Sequence, residues 1–376
     1  MVETVRVSFG CRDAAEFVAE LKQRVGDYFI SRGISDKANA AMIFKTVVVL
    51  TLTFGAYGLI LSNRFTPWEM LGLAIVMGIG LAGTGFCVSH DALHGAYSSN
   101  PKINRIIGFT FDIMGANGYL WKITHNVIHH TYTNIPGIDE DLDVSPLIRL
   151  SPYSEWKWFH RFQHVFAFFA YSFSTLFWVF VKDYKYFLKR DLGPYRNKKH
   201  PKSELAVMLS GKVTHYGYTI VIPLIVLHVA WWQFAIGYLA MHLTAGLILG
   251  VVFQLAHVVE GTAYPELPAD GEMTEPWVVH EMRTTSNFAR KNRLVCWYVG
   301  GLNFQVEHHL FPRVCSIHYP AISDIVCEVA EKYGVPYNQH PTMLAAIASH
   351  YRMLKRLGRE AAGPEAVAVG PQAVAA

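Results

Sequence analysis

The chain has 376 residues, of which 52% are apolar and only 16% charged, well under the roughly 25% charged that is usual for soluble domains. This composition argues against an ordinary soluble domain and for a membrane setting, and a net charge of +4 gives no ground for a nucleic-acid partner. The five cysteines, Cys11, Cys87, Cys296, Cys315 and Cys327, form no C-x-x-C pair, which argues against an iron–sulfur cluster or a disulfide scaffold.

Residues 1–43 are charged and amphipathic, as in AAEFVAELKQRVGDYF, and show no secretory signal. They are expected in the cytoplasm, with the first apolar run doing the targeting. Apolar runs follow at residues 44–62, 68–89, 215–230 and 232–256, each near the ~20 residues a helix needs to cross the ~30 Å hydrocarbon core. Residues 106–121 and 165–181 are apolar but shorter and bordered by Lys and Arg, the pattern of interfacial or re-entrant helices. A basic loop, DYKYFLKRDLGPYRNKKHPKSE, precedes the third run, and a mostly polar region covers residues 257–357. The tail, residues 358–376, is of low complexity and expected to be disordered, which leaves residues 44–357 as the membrane domain.

If the four long runs span, only Arg64 of the 33 Lys and Arg residues falls on the outer side. The positive-inside rule then places both termini in the cytoplasm. The expected fold is an all-α integral membrane protein with four transmembrane helices and a helical cap on the cytoplasmic side. Residues 165–181 should not cross fully, because the histidines near residue 125 and those near residue 308 can meet only if an even number of crossings separates them. A fifth crossing would put the two sets on opposite faces.

Eight of the eighteen histidines map to that cytoplasmic boundary. In SHDALHGAYS, His90 and His94 are four apart, so on a continuing helix their rings share one face and can bind one metal. In WKITHNVIHHTYTN, His125 and His129 repeat the spacing, while His130 lies about 100° further round, where it can reach a second metal. GLNFQVEHHLFP adds His308 and His309. His257, in FQLAHVVEG, ends the last apolar run, a place where a lone histidine is as easily a solvated interfacial residue. Three histidines within six residues rarely arise for packing, because an unpaired buried imidazole carries a desolvation cost. Eight imidazoles exceed what one ion can take, so two metals are implied. All-imidazole ligation suits iron, zinc or copper rather than magnesium or calcium.

With HDALH (90–94), HNVIHH (125–130) and QVEHH (305–309), set among RTTSNF and GGLNFQVEHHLFP, the chain resembles the membrane fatty acid desaturases. The resemblance covers roughly residues 15–355 and is greatest to the front-end branch of delta-6-type acyl and sphingolipid long-chain-base desaturases. It implies a di-iron centre on the cytosolic side of a four-span bundle, ligated by His90, His94, His125, His129, His130, His308 and His309, with His257 matching an additional ligand of stearoyl-type relatives. Gln305 stands where many desaturases carry histidine, and glutamine there looks like the front-end branch. Many front-end members carry a fused haem domain marked by His-Pro-Gly-Gly, whereas here His200-Pro201 is followed by Lys-Ser. No bound haem or flavin is therefore expected. Electrons are expected from an external donor, either a ferredoxin or a cytochrome b-type protein with its reductase.

Removing hydrogen from an unactivated methylene is beyond acid–base side chains and calls for a metal with O2 as co-substrate. The implied reaction takes two hydrogens from an acyl chain, carried on CoA or on a membrane lipid, and leaves a cis double bond and water. Asp91, Asp139, Glu140, Asp141, Asp143, Asn303 and Glu307 are candidate partners for the second nitrogens of the histidines, with Gln305 near the substrate. Trp121, Tyr119, Phe253 and Phe304 are candidate walls of a narrow tunnel for the chain. The basic loop could attract anionic lipid, a CoA phosphate or an acidic ferredoxin, although positive-inside orientation accounts for the same charges. The alternatives are a long-chain-base desaturase or lipid hydroxylase of the same di-iron class, a zinc hydrolase, and a haem-binding electron-transfer protein. Against the last, haem pairs usually face each other within spans.

Overall fold

The structure, a computed structural model, describes residues 8–10, 14–142, 145–196 and 199–359. Asp143 and all but the first two residues of the tail lie outside the described residues. The chain is mostly helical and begins with a short strand, β1 (Ser8–Phe9), and helix α1 (Ala15–Arg32). Phe17, Leu21, Val25 and Phe29 form the buried face of α1 at i, i+4 spacing and pack against Tyr319, Ile322 and Val326 near the C-terminus. Each such burial stabilises by about 1.5–3 kcal/mol.

Helix α2 (Ala40–Leu61) starts where the Asn39 side chain accepts from the Met42 N–H. Helix α3 (Pro67–Leu93) starts at a reciprocal cap, in which Thr66 accepts from the Glu69 N–H, Glu69 accepts from the Thr66 N–H, and Pro67 fills the first position. Helix α4 (Pro101–Ile113) leads to α5, which runs from Gly118–Trp121 through Lys122–His129 to His130–Tyr132. Helices α6 (Trp158–Ser172) and α7 (Ser174–Leu188) meet at a 59° bend. Helix α8 runs from Lys202–Tyr216 through Gly217–Val221 to Ile222–Val226, and α9 (Trp231–His257) follows. The remainder holds β2 (Glu272–Met273), α10 (Trp277–Thr284), β3 (Asn287–Phe288), α11 (Arg293–Tyr298), α12 (Gln305–Leu310), α13 (Tyr319–Lys332), β4 (Gln339–His340) and α14 (Met343–Leu357). β1 pairs with β2 and β3 with β4, both in parallel.

Among the described residues, α2, α3 and α9 are long and apolar enough to cross a membrane, and the bent pair α6–α7 would be a fourth if it counts as one span. The third expected run is the second half of α8. It ends at Val226, and the first half of α8 is polar and buries Lys212 and His215, so α8 is not among the three. The expected surface helix over 106–121 is broken: α4 ends at Ile113, Gly115 takes φ +91, and α5 begins at Gly118.

Several contacts set the ends of these helices. At the α2–α3 turn, Asn63 donates to the Val226 carbonyl and accepts from the His228 N–H, which brings the end of α8 to that turn. The α6–α7 bend sits against the middle of α9, where Ser174 donates to the Gly246 carbonyl and Thr175 to that of His242. Gly246 has no room for a Cβ, because the Ser172 carbonyl occupies the space, so a small residue lets the helices touch. The far ends of both arms return toward the histidines: Gln163 donates to Leu354 of α14 and Lys189 to Glu140.

Candidate metal centre

Four separate segments deliver the eight histidines. Immediately before His90 helix α3 widens into a π-helical stretch, Gly85–Ser89, and α5 does the same over Lys122–His129. Such widened turns recur at functional sites because they rotate side chains out of α-helical register. His257 is the last residue of α9, and α12 carries His308 and His309. The path into α12 needs glycine, since Gly300 and Gly301 have φ +63 and +76, and added Cβ atoms would lie 2.7 Å from the Phe86 carbonyl and 2.8 Å from that of Ser316. The pair threads the chain past α3 and sets α12 at its end.

All eight rings are buried. Ligand-capable atoms of His90, His94, His125 and His308 lie within 4.8 Å of one another, and so do those of His129, His257 and His309. His130 stands between the groups, with ring centroids 4.6 Å from His308 and 4.3 Å from His309. The Nε2 atoms of His90, His94, His125, His130, His308 and His309 are buried without a hydrogen-bond partner among the described residues, and those of His129 and His257 approach to 3.2 Å. So many converging, unpaired imidazole nitrogens would be costly in a dry interior unless cations hold them. The donor set fits two ions.

The outward nitrogens are held separately. His129 Nδ1 lies 3.0 Å from Asp139, His125 Nδ1 3.4 Å from Asp141, His309 Nδ1 2.6 Å from Glu281, His308 Nδ1 3.2 Å from the Tyr319 hydroxyl and His257 Nδ1 3.3 Å from the Thr284 carbonyl. Partners of this kind fix the tautomer and aim Nε2 at a metal. Burial, reinforced by neighbouring rings, holds His125, His130, His308 and His309 well below the usual histidine range, so they stand neutral, as ligands must. In His129 burial acts the same way, but the carboxylates of Asp139, Asp141 and Glu281 together outweigh it and push the ring up to about 9, a basicity that a cation at Nε2 would use.

The structure sorts the other expected residues. Asp139 and Asp141 face histidines, and Asp141 is also 3.9 Å from His129. Asp91 approaches His90 only to 3.8 Å; its other oxygen takes hydrogen bonds from Ser316 and Cys315 and so ties α3 to that loop. Glu140 binds Lys189 and the Gly193 N–H, Asn303 the Phe288 carbonyl, Gln305 the Leu302 carbonyl, and Glu307 Asn287 and Tyr337. Each of these holds backbone or loops together. Glu281 and Tyr319 escaped the sequence analysis, because neither stands at a telling distance in sequence from His309 or His308.

A narrow apolar cavity starts at His90 and Trp121 and runs between α3, α7 and α9 past Phe253 and Ala245 to His242. Trp121 lines the cavity and stacks on His125 at 4.4 Å, while His90 opens onto the cavity directly. Tyr119 turns away to His200, and Phe304 packs into the α1–α13 core.

Comparison with known proteins agrees with this geometry. A family profile described as fatty acid desaturase matches residues 66–341. The chain is 37% identical to an sn-1 linoleoyl-lipid 6-desaturase of Arthrospira platensis, over 94% of its own length and 95% of that protein. It is 39% identical to an sn-1 linoleoyl-lipid 6-desaturase of Synechocystis sp., over 90% and 94%. An acyl-lipid (8-3)-desaturase of Physcomitrium patens is 32% identical over 91% of this chain and 72% of the relative. The chain therefore belongs to the fatty acid desaturase family and is an oxidoreductase that desaturates fatty acyl chains.

Proposed function

We propose that the protein is a front-end acyl-lipid desaturase, which places a cis double bond between the carboxyl end and an existing double bond of an acyl chain on a membrane lipid. The observation that carries this reading is the convergence of eight buried imidazoles, one of which, His90, opens onto an apolar cavity, in a chain similar nearly end to end to two 6-desaturases of linoleoyl lipids. His90, His94, His125 and His308 would hold one iron and His129, His257 and His309 the other, with His130 between them. Iron held there supplies the O2 chemistry that an unactivated C–H bond requires.

The protein's own part is positioning. Trp121 and Phe253 keep the chain against the histidine wall, the apolar lining excludes water, and Asp139, Asp141, Glu281 and Tyr319 keep each Nε2 aimed inward. Four spans account best for the topology, with α8 as the third because its end meets the α2–α3 turn. The α6–α7 pair lies in the membrane surface, since both its arms return to the histidine side. Both termini then face the cytoplasm, where an external donor, a ferredoxin or a cytochrome b-type protein with its reductase, delivers electrons.

Expression in a host that lacks polyunsaturated lipids, with candidate acids and a competent donor supplied, tests this reading by lipid mass spectrometry. A product lighter by two hydrogens in the carboxyl-side half of a lipid-bound chain is expected, absent from His308→Ala. A product gaining oxygen, or one formed only on a long-chain base, would displace the proposal.

A further inference from the structure

Deep in the bundle lies a second pair of buried histidines that the metal centre does not use. His242 on α9 lines the inner end of the apolar cavity, and His215 on α8 is fully buried beside it, with ring centroids 5.8 Å apart. Their hydrogen bonds assign their tautomers. His215 Nδ1 lies 3.1 Å from the Ile113 carbonyl, which can only accept, so Nδ1 carries the proton. The Thr175 hydroxyl donates to the His242 carbonyl at 2.9 Å, so its oxygen is left to accept from His242 Nδ1 at 3.1 Å. Both Nε2 atoms are therefore bare acceptors, and neither has a hydrogen-bond partner among the described residues. In a membrane interior such groups are costly.

His242 stands where one cavity ends and, at Met241, another begins, with His215 packed beside it. From Phe253, 5.4 Å from His125, to His242 the inner cavity follows eleven residues of α9, about 16 Å at 1.5 Å per residue. Beyond the pair, Met77, Tyr238 and Met241 line a second apolar cavity that reaches Trp68 and Trp232 near the α2–α3 turn. Along α3 and α9 the two meet where Met77 gives way to Leu81 and Met241 to His242, and the three apolar side chains pack together at that junction.

We infer that His215 and His242 hold a water that donates one hydrogen to each Nε2, and that this hydrated pair is a polar stop limiting the length of acyl chain the inner cavity accepts. A methyl end that stops short of the pair leaves the water in place. A longer chain must displace it and face two bare acceptors that methylenes cannot satisfy. Water suits the pair better than a metal ion, because the pair offers two nitrogens where each histidine group of the metal centre offers three or four.

The inference rests on the desaturase reading, and its test has a readout that turnover does not control. Wild type, His242→Leu and His242→Gln are expressed with unsaturated acids lengthened at the methyl end by two-carbon units, and the ratio of extended to parent product is measured. Leucine removes the acceptor at similar volume; glutamine keeps a group that can hold the water. The ratio should rise roughly tenfold in His242→Leu and stay near wild type in His242→Gln. Acyl lipids co-purifying with each variant are measured by mass spectrometry alongside, and should shift to longer chains in His242→Leu alone. An unchanged bound-lipid profile in His242→Leu overturns the stop, as does a further metal ion bound in wild type and lost in that variant. If neither wild type nor a variant forms a front-end product, the front-end reading fails, while the bound-lipid profile still decides the stop.

Discussion

The two imidazole groups are made of the same side chain and are held differently. His129, His257 and His309 each rest Nδ1 on a fixed partner, namely Asp139 at 3.0 Å, the Thr284 carbonyl at 3.3 Å and Glu281 at 2.6 Å. In the other group His125 meets Asp141 at 3.4 Å, His308 meets a neutral hydroxyl at 3.2 Å, and Asp91 stays 3.8 Å from His90. Position accounts for the contrast. The first group lies under α10, which supplies Glu281, whereas the second opens at His90 onto the apolar cavity. Charged anchors gather where the protein closes over the site, and looser contacts remain where a chain must approach.

Removing an inward imidazole should break both groups at once, because His130 stands between them. In His308→Ala and His309→Ala, product should fall to background and iron, by metal analysis, should drop below two per chain. Half-loaded protein that keeps activity would show the groups to be independent.

The comparison is sharpened by the outward partners. Glu281→Gln and Asp139→Asn should lower metal affinity or activity roughly 10- to 100-fold, read as iron retained against a graded chelator. Asp141→Asn and Tyr319→Phe, on the looser group, should cost less than about tenfold. Equal losses in the two groups would remove the distinction.

The smallest effect lies far from either group. Thr66→Ala removes the α3 cap and should lower stability by about 1 kcal/mol, seen as a lower unfolding temperature at unchanged iron content.

Much of the site was legible beforehand. His90 with His94, and His308 with His309, are marked by local spacing, and the long apolar runs anticipated α2, α3 and α9 to within a few residues. Local spacing also set His125 and His129 on one helical face, and there the structure adds something: the π-helical turn keeps both near Asp141 while the rings serve different groups. Glu281 was not legible, since it reaches His309 from another helix, and Gln305 and Glu307 drew attention through proximity in sequence although their side chains face away. The stretch over 106–121 is two helices and not one for a related reason, because an average over apolar residues does not register the break at Gly115.

Crossing a membrane is a condition on the length and hydropathy of one segment, and stacking two rings is a condition on spacing within one helix. For that reason the sequence by itself determined the membrane setting, the long helices and the identity of the clustered histidines. Which nitrogen points inward, which carboxylate anchors it, how eight rings divide into two groups and where the cavity meets His242 all depend on contacts between segments far apart in the chain. No periodicity encodes those contacts, and only the packing of α3, α5, α9, α10 and α12 around one point decided them.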